Sequence, residues 1–185
     1  MSNELLIETE RCRITEYQKH ELDLYYALLG DTVVMQHFPR KELLDDLDRC
    51  RVSFEKQLQY YREKEGFGVW KAALKNGEHI GHAVLNQPVL SSNSERGGPV
   101  QLGYSLRPEY WNQGYASEFG RSMLKRGFKE LALSEIVAMT SKSNLASARV
   151  MQKIGMHFQG TTDEYFGEEL ILYRILKEEW RNSRF

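Results

Sequence analysis

A turn of small residues at positions 114 to 117 has the composition of an anion-binding site. Gly114 and Ala116 carry little or no side chain, so a ligand can approach the backbone closely. The helical stretch that follows, Glu118 to Lys129, directs its first unpaired N–H groups and the positive end of its dipole toward the same point. The pattern predicts a pyrophosphate site whose donors come from Gln113, Gly114, Tyr115, Ala116 and Ser117. An ordinary strand-to-helix loop is the alternative, because a lone turn of this kind is weak evidence.

Strands and helices alternate around this turn. Alternating apolar and polar residues predict strands, and apolar residues spaced three and four apart predict helices. The predicted strands are Leu5–Thr15, Gly68–Leu74, His79–Asn86, Val100–Leu106, Glu135–Thr140, Met156–Thr162 and Leu170–Leu176. The predicted helices are Lys19–Leu29, one or two helices containing Leu43 and Leu44 and ending near Gly66, Ser117–Leu131 and Leu145–Ile154. Asn76-Gly77 predicts a hairpin turn, and the polar stretch Ser91–Gly98 predicts an exposed loop.

Composition limits the classes of partner. The 185 residues, 41% of them hydrophobic, are expected to form one domain over residues 1–185. With 25 basic and 26 acidic residues the net charge is -1, so bulk attraction to nucleic acid or anionic lipid is absent. Neither a signal peptide nor a membrane-spanning run is found, which favours a cytoplasmic location. Cys12 and Cys50 lack metal-ligand or redox spacing.

Two motifs occur in order, with the strand Ile136–Thr140 between them. The first contains Trp111, Gly114 and Ala116. The second consists of Asn144, Ser147, Val150, Met151, Lys153, Ile154, Gly155 and Met156. Together they resemble the GNAT family of acetyl-CoA-dependent N-acetyltransferases. Trp111 stands where the family usually has Gln or Arg, and this aromatic variant is similar to the subgroup of ribosomal-protein alanine N-acetyltransferases.

The resemblance extends from Glu8 to Trp180 and implies an α/β (α+β) fold. We expect a mixed, mostly antiparallel central sheet of about seven strands with helices on both faces, its fourth and fifth strands splayed apart. The implied co-substrate is acetyl-CoA, with no metal. Its pantetheine arm would lie between the splayed strands and bond to the backbone of Ser105, Leu106 and Arg107, where a freed N–H would stabilise an oxyanion. Asn144 would cap a helix and bond the pantetheine amide, or act as a cap alone.

The groups that transfer protons are less well defined. Gln101 stands where many members of the family carry a glutamate base, and its amide cannot accept a proton near neutral pH. Val150 and Met151 stand where some relatives carry a tyrosine acid. Ser147, which the resemblance places beside the thioester, and His82 remain as catalytic candidates, although Ser147 could serve the helix backbone and His82 could be packed. The predicted substrate-binding residues are Gln101 and Asn86.

The favoured hypothesis is an N-acetyltransferase that moves an acetyl group to a protein N-terminus or a small amine by direct attack. Neither cysteine lies in the motifs, which disfavours an acyl-enzyme. One alternative is an acetyl-CoA-binding regulatory module without turnover. Another is a nucleotide-phosphate-binding protein, disfavoured because no Gly-Lys-Ser/Thr loop accompanies the turn.

Three expectations concern the partners of the chain. Basic residues are not interleaved with the aromatic residues near the turn, so we expect no direct nucleic-acid binding. A homodimer could form through the exposed faces of the sheet and helices. The acceptor amine, whether a protein N-terminus, a polyamine, an aminoglycoside or a metabolite amine, would be selected by loops of the first helices and by residues 87–99.

Overall fold

A computed structural model describes residues 5–38, 46–92, 95 and 97–183. The strands are β1 (Leu5–Glu8), β2 (Cys12–Thr15), β3 (Gly68–Leu74), β4 (His79–Asn86), β5 (Gln101–Leu106), β6 (Glu135–Thr140), β7 (His157–Thr162) and β8 (Leu170–Leu176). The helices are α1 (Leu22–Leu29), α2 (Thr32–Met35), α3 (Leu47–Glu63), α4 (Tyr115–Lys129), α5 (Leu145–Lys153) and α6 (Lys177–Asn182). Short 3-10 turns cover Lys19–Glu21 and Pro108–Tyr110. The predicted helical residues Leu43 and Leu44 lie outside the described residues.

All eight strands belong to one sheet in the order β1-β2-β3-β4-β5-β6-β8-β7. Every neighbouring pair is antiparallel except β5 and β6. The mixed, mostly antiparallel sheet is therefore confirmed, with eight strands in place of about seven. The first predicted strand divides into β1 and β2 because the Thr9 N–H donates to the Cys12 carbonyl at 2.9 Å and reverses the chain.

The parallel strands β5 and β6 separate soon after they begin. Their register contains the single pair Gln101 and Val137, and the Val137 N–H donates to the Val100 carbonyl at 3.0 Å. Strand β5 stays paired with β4 along its whole length, whereas β6 turns to pair with β8. This is the splay expected of the fourth and fifth predicted strands, and it leaves backbone groups of β5 open on one side.

Helices cover both faces of the sheet, as predicted. Trp70 of β3 packs into a core that contains Phe119 and Met123 of α4. Its neighbour Val69, on the opposite face, packs against a second core that contains Tyr25 of α1 and Phe54 of α3. Helices α4 and α5 thus lie on one face and α1 to α3 on the other.

None of the helices in the described ranges combines the length and apolar character needed to span a bilayer.

Candidate active site

The predicted phosphate turn begins α4 without a side-chain cap. Gly114 occupies the N-cap position at φ +85°, a left-handed conformation that glycine adopts easily. Glu118 is the first residue whose N–H bonds back into the helix, to the Gly114 carbonyl at 3.0 Å. The N–H groups of Tyr115, Ala116 and Ser117 precede it and have no intrahelical acceptor. The turn therefore presents backbone donors of the kind that a diphosphate requires.

Arg11 fixes this turn to the β1–β2 hairpin. Its Nη1 donates to the Gln113 carbonyl at 2.9 Å, and its Nε donates to Glu118 at 2.7 Å. The Arg11 backbone N–H donates to the same carboxylate at 3.0 Å, and the guanidinium lies 4.0 Å from the centroid of the Tyr115 ring. The sequence analysis gave the Arg11 and Glu118 side chains no role in the site, because nothing local links residues 107 positions apart.

Glu118 is held as a carboxylate by these contacts. Partial burial acts to raise its pKa, but hydrogen bonds from Thr9 and from the Arg11 N–H and guanidinium groups outweigh burial, so the pKa is lowered. The ion pair between Arg11 and Glu118 is therefore maintained at neutral pH.

Two further side chains brace the segment before the turn. The indole N–H of Trp111 donates to the Leu106 carbonyl at 2.7 Å, which ties the segment to the end of β5. The Gln113 side chain donates to the Glu109 carbonyl at 2.7 Å, so any contact from Gln113 to a ligand would come from its backbone.

The open edge of β5 presents different residues from those expected. The Arg107 N–H donates to the Ile80 carbonyl of β4 at 2.9 Å. Backbone groups alternate between the two sides of a strand, so those of Ser105 also point toward β4, while those of Tyr104 and Leu106 point toward the gap. The prediction that Ser105 and Arg107 supply backbone groups to the gap is thus corrected, because the pairing of β4 and β5 already uses them.

At the open edge, the Leu106 carbonyl already accepts the Trp111 indole, so its N–H is the group left for a ligand. Ser105 instead contributes a buried hydroxyl, which has no hydrogen-bond partner among the described residues.

Asn144, Ser147 and Tyr104 meet across the gap. The Asn144 side-chain oxygen accepts from the Ser147 N–H at 3.0 Å, which is the predicted helix cap. The Tyr104 hydroxyl lies 3.2 Å from both the Ser147 hydroxyl and the Ser147 carbonyl. Burial raises the pKa of Tyr104, so its hydroxyl stays protonated. The sequence analysis did not identify Tyr104 as a site residue, because its contact with α5 joins residues 43 positions apart.

One groove of about 1350 Å³ joins these features. It extends from the turn, past the gap between β5 and β6, to the space bounded by α1 to α3. Of the predicted site residues, all except Arg107 and Gln113 line it. The structure therefore brings together residues that the sequence separates by more than sixty positions.

The predicted substrate residues form a neutral pair in this groove. Gln101 donates from its side-chain nitrogen to the Asn86 side-chain oxygen at 2.9 Å. His82 lies on the same strand as Asn86 and is 3% exposed. Burial lowers the pKa of His82 to about 3, with a smaller contribution from His79, so the imidazole is neutral and a weak proton acceptor at neutral pH. Its role as a base stays a prediction that this environment disfavours.

Among the described residues, no cluster of three or more His, Cys, Asp or Glu side chains is arranged to hold a metal.

Comparison with known proteins agrees with this geometry. The model of the acetyltransferase (GNAT) domain family matches residues 11–157. The chain belongs to the GNAT acetyltransferase family. This GNAT protein is accordingly an acyltransferase. It is 31% identical over 186 residues to the uncharacterized N-acetyltransferase YnaD of Bacillus subtilis, with 94% of this chain and 98% of YnaD covered.

Two solved structures share the fold of this GNAT enzyme. One is the ribosomal L7/L12 α-N-protein acetyltransferase RimL in complex with coenzyme A, with a TM-score of 0.75, 12% identity, and 94% of this chain and 98% of RimL covered. The other is AAC(6')-Ib in complex with ribostamycin and coenzyme A, with a TM-score of 0.77, 20% identity, and 95% and 99% covered. At these identities the likeness establishes the fold alone.

Proposed function

We propose that this GNAT enzyme transfers an acetyl group from acetyl-CoA to a primary amine by direct attack of the amine. The observation that carries the proposal is the single groove that joins the uncapped turn, the open edge of β5 and a space beyond it. RimL and AAC(6')-Ib, which share the fold, are described in complex with coenzyme A, and this supports coenzyme A as the ligand of the turn.

The residues present fit this co-substrate. The N–H groups of Tyr115, Ala116 and Ser117 would hold the diphosphate, and Gly114 leaves room for it beside the backbone. The backbone of Tyr104 and the N–H of Leu106 would bond the pantetheine arm as a missing strand would. Acetyl-CoA, when bound, supplies the thioester that the amine attacks.

The chain's own groups then have distinct tasks. The Leu106 N–H is suited to stabilise negative charge on the carbonyl oxygen under attack. The Tyr104 and Ser147 hydroxyls form a donor pair at the gap that can protonate the departing sulfur. Gln101 and Asn86 would orient the amine, and because their amides cannot accept its proton near neutral pH, that proton would pass to water in the groove.

An acyl-enzyme route has little support. Cys12 and Cys50 are both fully buried, and burial raises the pKa of each thiol to about 11. A thiolate nucleophile is therefore scarce at neutral pH.

The test compares two glycine variants by isothermal titration with coenzyme A. Gly114→Ala and Gly77→Ala both place alanine at positive φ, +85° and +93°, which costs stability of about 1–2 kcal/mol. Only Gly114 lies at the proposed site, so we expect Gly114→Ala to weaken binding roughly tenfold or more, as the loss of a charge-assisted hydrogen bond would. Gly77→Ala should bind as the wild type does.

The comparison has clear contrary outcomes. A wild-type protein that fails to bind coenzyme A would overturn the proposal, and equal affinity of Gly114→Ala and wild type would remove the turn from it. Release of free thiol from acetyl-CoA in the presence of a panel of amines then separates turnover from binding alone.

A further inference from the structure

The part of the groove beyond the gap, which we call the acceptor half, has apolar walls. It is bounded by α1, α2, α3 and β4, by Val89 after β4 and by Phe166 before β8. Its walls include Tyr25, Leu29, Val34, Val84, Val89 and Leu170. Tyr25, Leu29, Val34 and Leu170 are each at most 5% exposed. Apolar side chains therefore form part of the surface that a ligand would contact in this half, beside the polar residues that α3 contributes.

Negative charge is nearly absent from the described lining of the groove. Of its described lining residues, Asp48 is the only carboxylate. The Asp48 side chain is 89% exposed and pairs with Arg51 at 3.2 Å, so it lies at the rim and is already compensated. The cationic residues of the lining are Arg49, Lys56, Arg149 and Lys153.

The polar groups nearest the gap are also uncharged. Gln101 and Asn86 bond to each other through their amides. His82 also lines the groove; its Nδ1 is buried and has no partner among the described residues, and the imidazole is neutral at physiological pH. These groups can accept or donate one or two hydrogen bonds, but they cannot neutralise an ammonium.

We propose that the acceptor half takes a monoamine whose amino group is attached to an uncharged apolar body, and that it excludes polycations. This inference rests on the proposed function. Among the described lining residues a second ammonium would meet no carboxylate other than the exposed, already paired Asp48, and burial of an unpaired charge is strongly unfavourable. Polyamines and aminoglycosides carry several such groups, so this chemistry rejects them.

The same environment explains how an amine could react without a carboxylate base. Transfer of an ammonium into apolar surroundings disfavours its charged form, so desolvation lowers the pKa of the bound amine and raises its neutral fraction. The neutral form is the nucleophile. An apolar acceptor half thus performs part of the task that a glutamate at Gln101 would perform.

The test uses pairs of amines that differ in one charge. Thiol release from acetyl-CoA is measured for hexylamine and for 1,6-diaminohexane, which carries a second ammonium on its terminal carbon. Phenethylamine, a tetrapeptide amide beginning with leucine, and spermidine extend the series. We expect kcat/KM for hexylamine to exceed that for the diamine roughly tenfold or more. The peptide and phenethylamine distinguish a protein N-terminus from a small amine as the source of the same apolar group.

Two variants, one on α3 and one at the residue that follows α3, test whether the charge of the groove sets this preference. Lys56→Glu reverses the charge of an exposed lining residue, and Lys64→Glu makes the same change at an exposed position outside the groove. Lys56→Glu should raise the relative kcat/KM for the diamine severalfold, whereas Lys64→Glu should leave the ratio unchanged. Neither side chain is buried, so both variants are expected to fold.

The outcomes separate this inference from the proposed function. Equal or better turnover of 1,6-diaminohexane or spermidine would overturn the inference and leave acetyl transfer standing. If Lys56→Glu leaves the ratio of kcat/KM for the diamine to kcat/KM for hexylamine unchanged, the charge of the groove does not set the preference, and the inference is overturned as well. Coenzyme A binding without thiol release for any amine would overturn the proposed catalysis, and the inference with it.

Discussion

The Tyr104 hydroxyl is the residue-level feature that most affects the chemistry. Tyr104 lies on β5, and its hydroxyl lies 3.2 Å from the Ser147 hydroxyl on α5, on the other side of the gap. Burial raises the pKa of Tyr104, so the hydroxyl stays protonated at neutral pH and can donate a hydrogen bond, and then a proton, to the sulfur as that atom gains negative charge. Where some relatives place a tyrosine on the helix, this chain has Val150 and Met151, and the hydroxyl reaches the same helix from the neighbouring strand.

Replacement of Tyr104 by phenylalanine should slow turnover and leave cofactor affinity intact. The ring keeps its packing, while the proton donor is lost, so we expect kcat to fall by about 10- to 100-fold, at or below the usual range for general acid catalysis. The Kd for coenzyme A should change little. Tyr173→Phe is the control, because Tyr173 is also buried and bonded, to Gln152 at 3.2 Å, but does not line the groove. Equal kcat values for Tyr104→Phe and Tyr173→Phe would contradict the assignment.

Residue-level interactions were predictable where they are local. The cap by Asn144 follows from a side chain and an N–H three residues apart, so the sequence alone indicates it. Two other contacts, between Tyr104 and Ser147 and between Arg11 and Glu118, depend on how the strands and helices pack. The residues of each pair are far apart in the sequence, so no local spacing predicts these contacts. The orientation of Ser105 and Arg107 was missed for a different reason. Which side of a strand a backbone group faces depends on register, and the hydrogen bond from Arg107 to Ile80 determines it.

At the level of elements, the β1–β2 hairpin serves as a clamp for the phosphate turn. Arg11 lies in the connection between the two strands. It bonds to the Gln113 carbonyl in the turn and to the Glu118 carboxylate in the first turn of α4. The turn is thus held from two sides, by Arg11 and by the indole of Trp111. The hairpin itself was not predicted, since Leu5–Thr15 contains neither glycine nor proline to mark the reversal.

Removal of this clamp should weaken cofactor binding more than it affects chemistry. We expect Arg11→Ala to raise the Kd for coenzyme A about fivefold to tenfold, because the turn loses two charge-assisted contacts and pays an ordering cost on binding. Calorimetry with coenzyme A measures this change. Arg13→Ala is the matched control, since Arg13 is in the same hairpin but forms an exposed ion pair with Glu8 at 3.6 Å. If the two variants bind coenzyme A equally well, the hairpin has no role in the site.

At the level of the whole molecule, the two cores have different chemical character. The core beneath α4 and α5 is built from apolar side chains. The opposite face of the sheet buries polar groups as well. His79 shares a 3.1 Å hydrogen bond with the Tyr17 hydroxyl, Lys71 pairs with Glu21, and His82 lies between β4 and α1. The acceptor half lies on this face of the sheet, and the buried His82 belongs both to this core and to the lining of the groove.

The buried histidines should make the protein sensitive to mild acid. Burial lowers the pKa of His79 to about 4 and that of His82 to about 3, whereas both would titrate near 6.5 when unfolded. Below about pH 6.5 the unfolded chain therefore binds protons that the folded chain does not, so the free energy of unfolding falls by about 1.4 kcal/mol per pH unit for each histidine until the folded pKa values are reached. Urea unfolding at a series of pH values measures the slope. His82→Gln should remove about half of the contribution from these two histidines, and His20→Gln, at an exposed position, should leave the slope unchanged. A His82→Gln slope equal to that of the wild type would show that His82 is protonated, or solvated, in the folded enzyme.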